Sequence, residues 1–232
     1  MQSGVDVFAA IVAQALSAQI MAAPADMSPE ARIAIAPVAA AIAEVRKAQA
    51  ALPPPRDDAE KLLRMRDLDQ AAHRVFGQID VSRIPPADRK AALTAIQQQI
   101  GPIDRANQQA LVAMLPPEGW FTISRYGKDA SNAAFLIIQH AGPDLQRRFL
   151  PVLEPLAAKG EVAGGDYALM FDRLALSEGR KQRYGTQIRC EAGKLTPSPI
   201  EDPQLVDSRR AAVGLGSYAD YLAGFANAPP CG

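Results

Sequence analysis

Apolar side chains recur at helical spacing along most of the chain, beginning with a stripe over residues 5–22. A second helix should begin at Ser28-Pro29, because serine is a favourable N-cap and proline fits the first helical position. This helix is expected to reach about residue 52, with a kink or a break at Pro37, which cannot donate a backbone hydrogen bond. The pattern therefore predicts two helices in the N-terminal part of the chain.

Three consecutive prolines, Pro53-Pro54-Pro55, mark the clearest boundary in the sequence. Proline ends a helix and restricts the residue before it, and a charged helix start follows at Asp57. We therefore expect residues 1–55 to form an N-terminal helical hairpin extension. Residues 56–232 would then form a helical main domain that contains the functional residues.

The helical pattern continues through this main domain until residue 179, where the apolar stripe is lost. Beyond it, two extended stretches flank a turn, and Pro197 and Pro199 suit an edge strand because they donate no ladder hydrogen bond. The sequence thus predicts a mainly α fold: a multi-helix bundle with one short C-terminal β-hairpin within residues 184–200. The helices expected in the main domain span about residues 57–76, 87–100, 102–114, 129–140, 143–159, 166–178, 202–214 and 216–225.

Composition argues against several classes of function. Basic and acidic residues balance at 25 each, so the formal net charge is zero and nucleic-acid binding through phosphates is not expected. Aromatic residues make up only 6% of the chain, which argues against an all-β sandwich. Two histidines and two cysteines without a C-x-x-C pair are too few for a structural zinc site, so we expect no metal and no cofactor.

The N-terminal apolar stretch, residues 5–23, fits neither a signal peptide nor a membrane span. No basic residue precedes it, Arg32 being the first, and polar side chains such as Asp6 interrupt it. Two interpretations remain open: a cytoplasmic chain as written, or a mature exported chain with a start methionine added. Cys190 and Cys231 favour the periplasmic or secreted alternative, because a disulfide between them would tie down the C-terminal tail. The alternative is that the two cysteines form no disulfide with each other.

Four groups of polar residues lie in apolar surroundings and could carry chemistry. The first is Asp69-Gln70 with His73-Arg74, in which Asp69 and His73 share one face of a helix. A carboxylate beside an imidazole holds its tautomer and raises its basicity. An ordinary ion pair on a solvated helix face would leave the same pattern.

The second group is Gln139-His140, which follows a run of four large apolar residues at a predicted helix C-terminus. The run indicates a buried location, and the helix dipole there favours a protonated imidazole. His140 is therefore the candidate general acid or base. The alternative is a buried histidine that only caps the helix end.

The third group, Asp172-Arg173, follows apolar residues 168–171, so at least one of the pair should face inward and need a partner. The fourth group is the loop of residues 179–187, which offers many donors and few acceptors and would suit an anionic or carbonyl-bearing ligand. For the third group the alternative is a structural salt bridge, and for the fourth group it is a rigid connector. Candidate ligand-binding residues in the loop are Gln182, Tyr184, Thr186 and Gln187.

Several motifs follow one another in a particular order. They are Asp69-Gln70, Gly119-Trp120, Gln139-His140-Ala141, Asp172-Arg173, Gly179-x-x-Gln182-x-Tyr184-Gly185-Thr186-Gln187, and Arg209-Arg210 with Gly214-Leu215. The order resembles that of an uncharacterised bacterial family, a domain of unknown function found in predicted exported proteins. The resemblance covers roughly residues 60–222 and leaves residues 1–55 outside. It implies that the four groups belong to one site, and it implies no activity. His73 has no place in the family pattern, so His140 ranks above it.

Three functions are compatible with these residues. The first is a metal-independent hydrolase or transferase, with His140 as general acid or base, Asp172 or Asp69 orienting it, and Arg173 with the loop binding an oxyanion or phosphate. The second is a protein that binds a small ligand or peptide without proton transfer. The third is a purely structural hydrogen-bond network.

All three functions share one geometric expectation, which is that the candidate residues converge in one donor-rich pocket. Each would be costly to bury alone, and their hydrogen bonds could satisfy one another. We expect a small anionic or strongly hydrogen-bonding ligand, and the oligomeric state is left open. The candidates are His140 and Asp172 as catalytic residues, with Asp69, Gln70, Gln139, Arg173, Gln182, Tyr184, Thr186 and Gln187 as ligand-binding residues.

Overall fold

Nine α-helices and one two-stranded antiparallel hairpin make up residues 27–226, the part of the chain that the computed structural model describes. The predicted mainly helical fold with a C-terminal hairpin is therefore confirmed. The helix predicted over residues 5–22 lies outside the described residues. Within residues 27–226, no helix combines the length and the apolar character needed to cross a membrane.

Helix α1 spans Pro29–Ala50 and has the predicted cap: the Ser28 hydroxyl accepts a hydrogen bond from the backbone N–H of Ala31 at 3.2 Å. Pro37 lies inside α1 and does not break it. The reason is that Pro37 is on the exposed face of the helix. The carbonyl of Ile33, which loses its helical partner there, is on the solvent side and can bond water instead.

Helix α2 spans Asp58–Gln78 and α3 spans Arg89–Ala113, with a 3₁₀ turn at Val81–Arg83 between them. The predicted division of α3 at Gly101-Pro102 is wrong, because the helix continues through both residues. The proline is exposed, while buried residues on the opposite face keep their helical spacing from one side of it to the other. Continuous packing of that face outweighs one lost backbone hydrogen bond.

Four helices lie between α3 and the hairpin. They are α4 (Ile123–Tyr126), α5 (Lys128–Gln139), α6 (Pro143–Ala158) and α7 (Gly164–Ser177). Helix α5 begins one residue before the predicted start, so Asp129 lies in its first turn and Gly127 is the N-cap residue. At its other end, His140 is the C-cap residue, as the apolar run had indicated.

Strand β1 (Ile188–Glu191) pairs antiparallel with strand β2 (Lys194–Pro197), with Cys190 opposite Leu195. The strands occupy only the middle of the predicted region, because the residues before β1 hydrogen bond to α7 instead of extending the ladder. After the hairpin, the helix predicted over residues 202–214 is a 3₁₀ turn followed by a short α-helix. These last elements are the turn at Pro203–Leu205, α8 (Val206–Ala212) and α9 (Tyr218–Ala223).

Two apolar clusters form the core of the described residues. The larger surrounds Trp120 and draws mainly on α5, α6 and α7, whereas the smaller joins α1 to α2 and α3 through residues such as Ile35 and Ile96. Helix α2 contributes to both, with Leu62 in one and Ala72 in the other. Helix α1 covers the smaller cluster. The division of the chain into two parts at residue 55 stays a prediction. The candidate site lies where α2, α3, α7, the end of α5 and the start of α6 meet.

Candidate functional site

Asp69 and His140 form the centre of the site. Asp69, on α2, is only 1% exposed, and its two carboxylate oxygens lie 3.0 and 3.1 Å from Nδ1 of His140 at the end of α5. The amide Nε2 of Gln70 also donates to the Asp69 carboxylate, at 2.8 Å. Because a carboxylate only accepts, Nδ1 of His140 carries a proton, and in the neutral ring Nε2 keeps its lone pair.

A second histidine lies directly against the first. The rings of His73 and His140 are stacked, with their centroids 3.7 Å apart and their planes at 24°. Nε2 of His73 is 3.1 Å from Oδ1 of Asp104 on α3 and 4.0 Å from Oδ1 of Asp69. The site therefore contains two imidazoles, each bonded to its own carboxylate.

The surroundings of His73 favour its protonated form. Burial by itself would lower the pKa of His73, but the hydrogen bond and charge of Asp104 and the charge of Asp69 outweigh it, so that the pKa is raised. The positive charge of Arg173 opposes this increase. His73 is therefore the imidazole in the pair whose protonation the surrounding carboxylates support.

Arg173, on α7, reaches the site from the other side. Its Nη1 donates to the backbone carbonyl of Gln139 at 3.2 Å, while its Nε is buried without a hydrogen-bond partner. Burial lowers the pKa of its guanidinium, and within residues 27–226 no carboxylate forms a salt bridge with it. A half-buried cation with an unsatisfied donor is costly, so Arg173 has capacity left for an anionic ligand.

These side chains open onto a pocket of about 570 Å³, a volume suited to a small molecule. Gln146 forms part of the pocket wall. Its side chain is held in place because Nε2 donates to the backbone carbonyls of Gln139 and Ala141, both at 2.9 Å. Polar groups thus converge on one cavity from five helices. The pocket is lined by His73, Gln97, Asp104, Gln139, His140, Ala141, Pro143, Gln146, Arg173 and Ser177.

Asp172, the neighbour of Arg173, is fully buried and makes its hydrogen bonds elsewhere. Its carboxylate accepts from the backbone N–H groups of Arg183, Tyr184 and Thr186, at 2.6 to 3.2 Å, and from the Thr186 hydroxyl at 2.9 Å. The role of orienting His140, which the sequence left open between Asp172 and Asp69, is therefore performed by Asp69.

The two glutamines of the loop also bond within the loop region. Nε2 of Gln182 donates to the carbonyls of Gln187 and Ser198, and Oε1 of Gln182 accepts from the backbone N–H of Gln187. Nε2 of Gln187 reaches the Thr186 hydroxyl at 3.1 Å. These contacts fix the shape of the loop and connect it to the hairpin.

The predicted site residues accordingly form two groups. Asp69, Gln70, Gln139, His140 and Arg173 meet at the pocket, whereas the loop group consists of Asp172, Gln182, Tyr184, Thr186 and Gln187. Sequence reasoning ranked His73 below His140 and did not single out Asp104. The four-residue spacing from Asp69 to His73 was visible in the sequence. Asp104 lies in α3, and no sequence feature around it indicated a site residue.

Asp69, His73 and His140 could also hold a metal ion, since one ligand atom from each lies within 4.8 Å of the others. The stacked rings test this fit. Two imidazoles bound to one ion at right angles, with metal–nitrogen bonds of about 2.1 Å, would have centroids about 4.5 Å apart. The centroids here are 3.7 Å apart. All three residues would therefore converge on one ion only after a ring moves, and the present geometry is that of two hydrogen-bonded histidine–carboxylate pairs.

The fold and the pocket together define a small helical protein with a stacked-histidine site. Residues 54–229 match a family of unknown function, DUF6624, and the chain belongs to this family. The match begins within the proline run and includes both the pocket and the loop group. No curated protein and no solved structure is significantly similar to the chain.

Proposed function

We propose that the pocket is the active site of a metal-independent hydrolase or transferase that acts on a small anionic substrate. The supporting observation is the Asp69–His140 hydrogen bond in a pocket that also contains Arg173, a half-buried cation with an unsatisfied donor. A fixed base beside a cation with an unsatisfied donor is what general base catalysis on such a substrate requires.

His140 is the general base in this proposal. Its Nδ1–H donates to Asp69, so Nε2 is available to take a proton from a water molecule or from the hydroxyl of an acceptor. Asp69 holds the tautomer and stabilises the imidazolium once it forms. The side chain of His140 is 15% exposed, which leaves it accessible from the pocket.

Arg173 is the anion-binding residue. The hydrogen bond from Nη1 to the Gln139 carbonyl holds the guanidinium beside the histidines. A phosphate or carboxylate of the substrate would supply the negative charge that no described carboxylate supplies, and charge-assisted hydrogen bonds to it would be strong. The reacting bond would then lie next to Nε2 of His140.

A binding protein without catalysis is the second candidate. The same Arg173 favours it, because an unsatisfied guanidinium serves anion binding whether or not a proton is transferred. The two candidates differ only in whether His140 is needed for a rate or merely for affinity.

A pair of measurements separates them. Thermal shift with inorganic phosphate and with acetate tests anion binding, and hydrolysis of p-nitrophenyl phosphate, bis(p-nitrophenyl) phosphate and p-nitrophenyl acetate tests catalysis. We expect stabilisation by an anion in the wild type and not in Arg173→Met. For any ester that is hydrolysed, we expect His140→Gln to reduce the rate by about 100-fold or more.

Asp144→Asn is the matched control, because Asp144 is fully exposed and outside the pocket. Anion binding that survives in His140→Gln, together with equal rates in the two enzymes, would establish the binding protein instead. If no anion stabilises the wild type, the proposed role of Arg173 is wrong.

A further inference from the structure

We infer that His73 is a second proton-transfer residue of the same pocket: His73 carries the proton and His140 carries the lone pair, so that an acid and a base are present together. This inference rests on the proposed function and adds to it a residue that donates a proton to the leaving group. It also extends the substrates to esters whose alcohol is a poor leaving group, because a general acid assists the departure of that alcohol.

The charges that face the stacked rings set how many protons the pair holds. Asp69 on α2 and Asp104 on α3 contribute two negative charges, and Arg173 on α7 contributes one positive charge. One proton on the two rings makes the group neutral. A second proton would place two cations 3.7 Å apart, whereas a neutral ring stacked on a charged one is favourable.

The position of the carboxylates favours His73 as the ring that holds this proton. Nε2 of His73 lies 3.1 Å from Asp104 and 4.0 Å from Asp69, so two carboxylates stabilise its positive charge. His140 has only Asp69, which it meets through Nδ1. The dipole at the end of α5 favours a proton on His140, but such an effect is smaller than that of a second nearby carboxylate.

The ring nitrogens that remain have complementary roles. With Nε2 bonded to Asp104, Nδ1 of protonated His73 is a donor, and Nε2 of His140 is an acceptor. Neither atom has a hydrogen-bond partner within residues 27–226, and both side chains line the pocket.

The reaction then balances with these two residues alone. The attacking hydroxyl or water gives its proton to Nε2 of His140 while its oxygen bonds to the phosphorus or carbonyl carbon of the ester. The bond to the leaving oxygen breaks, and that oxygen takes the proton from Nδ1 of His73. His140 ends protonated and His73 neutral, and proton exchange with solvent restores the starting state.

The test uses the fact that the chain has only two histidines. In the full-length protein with ¹⁵N-labelled histidine, the ring nitrogen shifts report which nitrogens carry protons, and His73→Gln and His140→Gln assign the signals. When the pair holds a single proton, we expect one doubly protonated ring, His73, and one Nδ1–H ring, His140. On acidification from high pH, the first proton taken up by the pair should go to His73.

Asp104→Asn is the second variant, because it keeps the shape of the side chain and removes one of the two charges beside His73. We expect the pKa of His73 to be lower in this variant than in the wild type. A proton on His140 in the wild type, or an unchanged His73 in Asp104→Asn, would overturn the inference. So would zinc addition that shifts both rings and displaces the Nδ1–H of His140, since the pair would then be a metal site.

This readout needs no substrate, and its outcome is therefore separate from that of the proposed function. If the protonation pattern is as expected but the protein binds no anion and hydrolyses no ester, the acid–base pair is retained and the proposed enzymatic function is rejected. The opposite pattern in an active enzyme would reject only the role of His73.

Discussion

Asp172 and Arg173 are consecutive residues of α7, yet they serve two different groups of side chains. Asp172 accepts hydrogen bonds from the loop of residues 183–186, and Arg173 donates to the Gln139 carbonyl at the pocket. One turn of helix thus fixes the loop with one side chain and places a cation beside the histidines with the next. Since consecutive helical residues point in directions about 100° apart, this separation follows from the helix itself.

Loss of the Asp172 carboxylate should destabilise the fold. Asp172→Ala would leave the buried N–H groups of Arg183, Tyr184 and Thr186 without an acceptor, and we expect a loss of about 3–5 kcal/mol in the free energy of unfolding, measured with urea. Asp144→Ala, at a fully exposed position, should change it by less than about 1 kcal/mol. Equal effects of the two substitutions would show that the loop does not depend on Asp172.

Gly185 occupies a position where only glycine fits. Its φ is +67°, and a Cβ there would lie 2.6 Å from Cε2 of Tyr218. Gly179 has a similar φ of +74°, but a Cβ there would meet nothing within 4 Å, so it is a matched control for backbone strain alone. We expect Gly179→Ala to cost about 1 kcal/mol of unfolding free energy and Gly185→Ala about 2–4 kcal/mol. Equal melting temperatures of the two variants would contradict the close contact between Gly185 and Tyr218.

Arg173→Met should leave the stability unchanged or raise it by up to about 1 kcal/mol, because it removes a half-buried charge. The Gln139 carbonyl would still accept from Gln146, so no backbone group is orphaned. Arg210→Met is the contrasting variant: Arg210 is buried and donates to the carbonyls of Tyr184 and Gly216, and its loss should cost about 2–4 kcal/mol. Urea unfolding of both variants checks this, and a large loss in Arg173→Met would mean that the arginine is structural.

The raised pKa of His73 predicts a pH-dependent contribution to stability. A group whose pKa is higher in the folded protein than the ordinary 6.5 stabilises the fold below that value, and the contribution disappears as the pH rises through the folded pKa. The difference in unfolding free energy between wild type and His73→Gln should therefore be larger at pH about 5.5 than at about 8.5. Gln97→Ala, another pocket variant without a titrating group, should show the same difference at both values. If the difference in unfolding free energy instead grew with pH, the pKa of His73 would be lowered in the folded protein and not raised.

We propose that the protein is exported and that Cys190 is linked to Cys231, a residue outside the described part of the chain. A loop of about forty residues closed in this way would contribute roughly 3–4 kcal/mol in the chain-entropy model. The measurement is a thiol count with and without reductant, on denatured protein purified from its natural compartment. Two thiols before reduction would reject the link and, with it, the main support for export.

The sequence was sufficient for the elements and for part of the site. Helical periodicity, the Ser28 cap and the turn of the hairpin are local features, so the fold class and most boundaries could be derived from neighbouring residues. Two exceptions were Pro37 and Pro102. Both stay within helices because they face solvent, and which face meets solvent is decided by packing across the whole bundle.

The chain itself determined that Asp69 and His73 share a helix face and that His140 ends a buried helix, because both follow from spacing within one element. Only the tertiary structure decided that His140 stacks on His73, that Asp104 from α3 faces His73, and that Asp172 turns away to the loop. The hydrogen bonds of the two histidines to Asp104 and Asp69 join residues 31 and 71 positions apart. Such pairings depend on how helices pack, and local periodicity carries no information about which partner a polar side chain will meet.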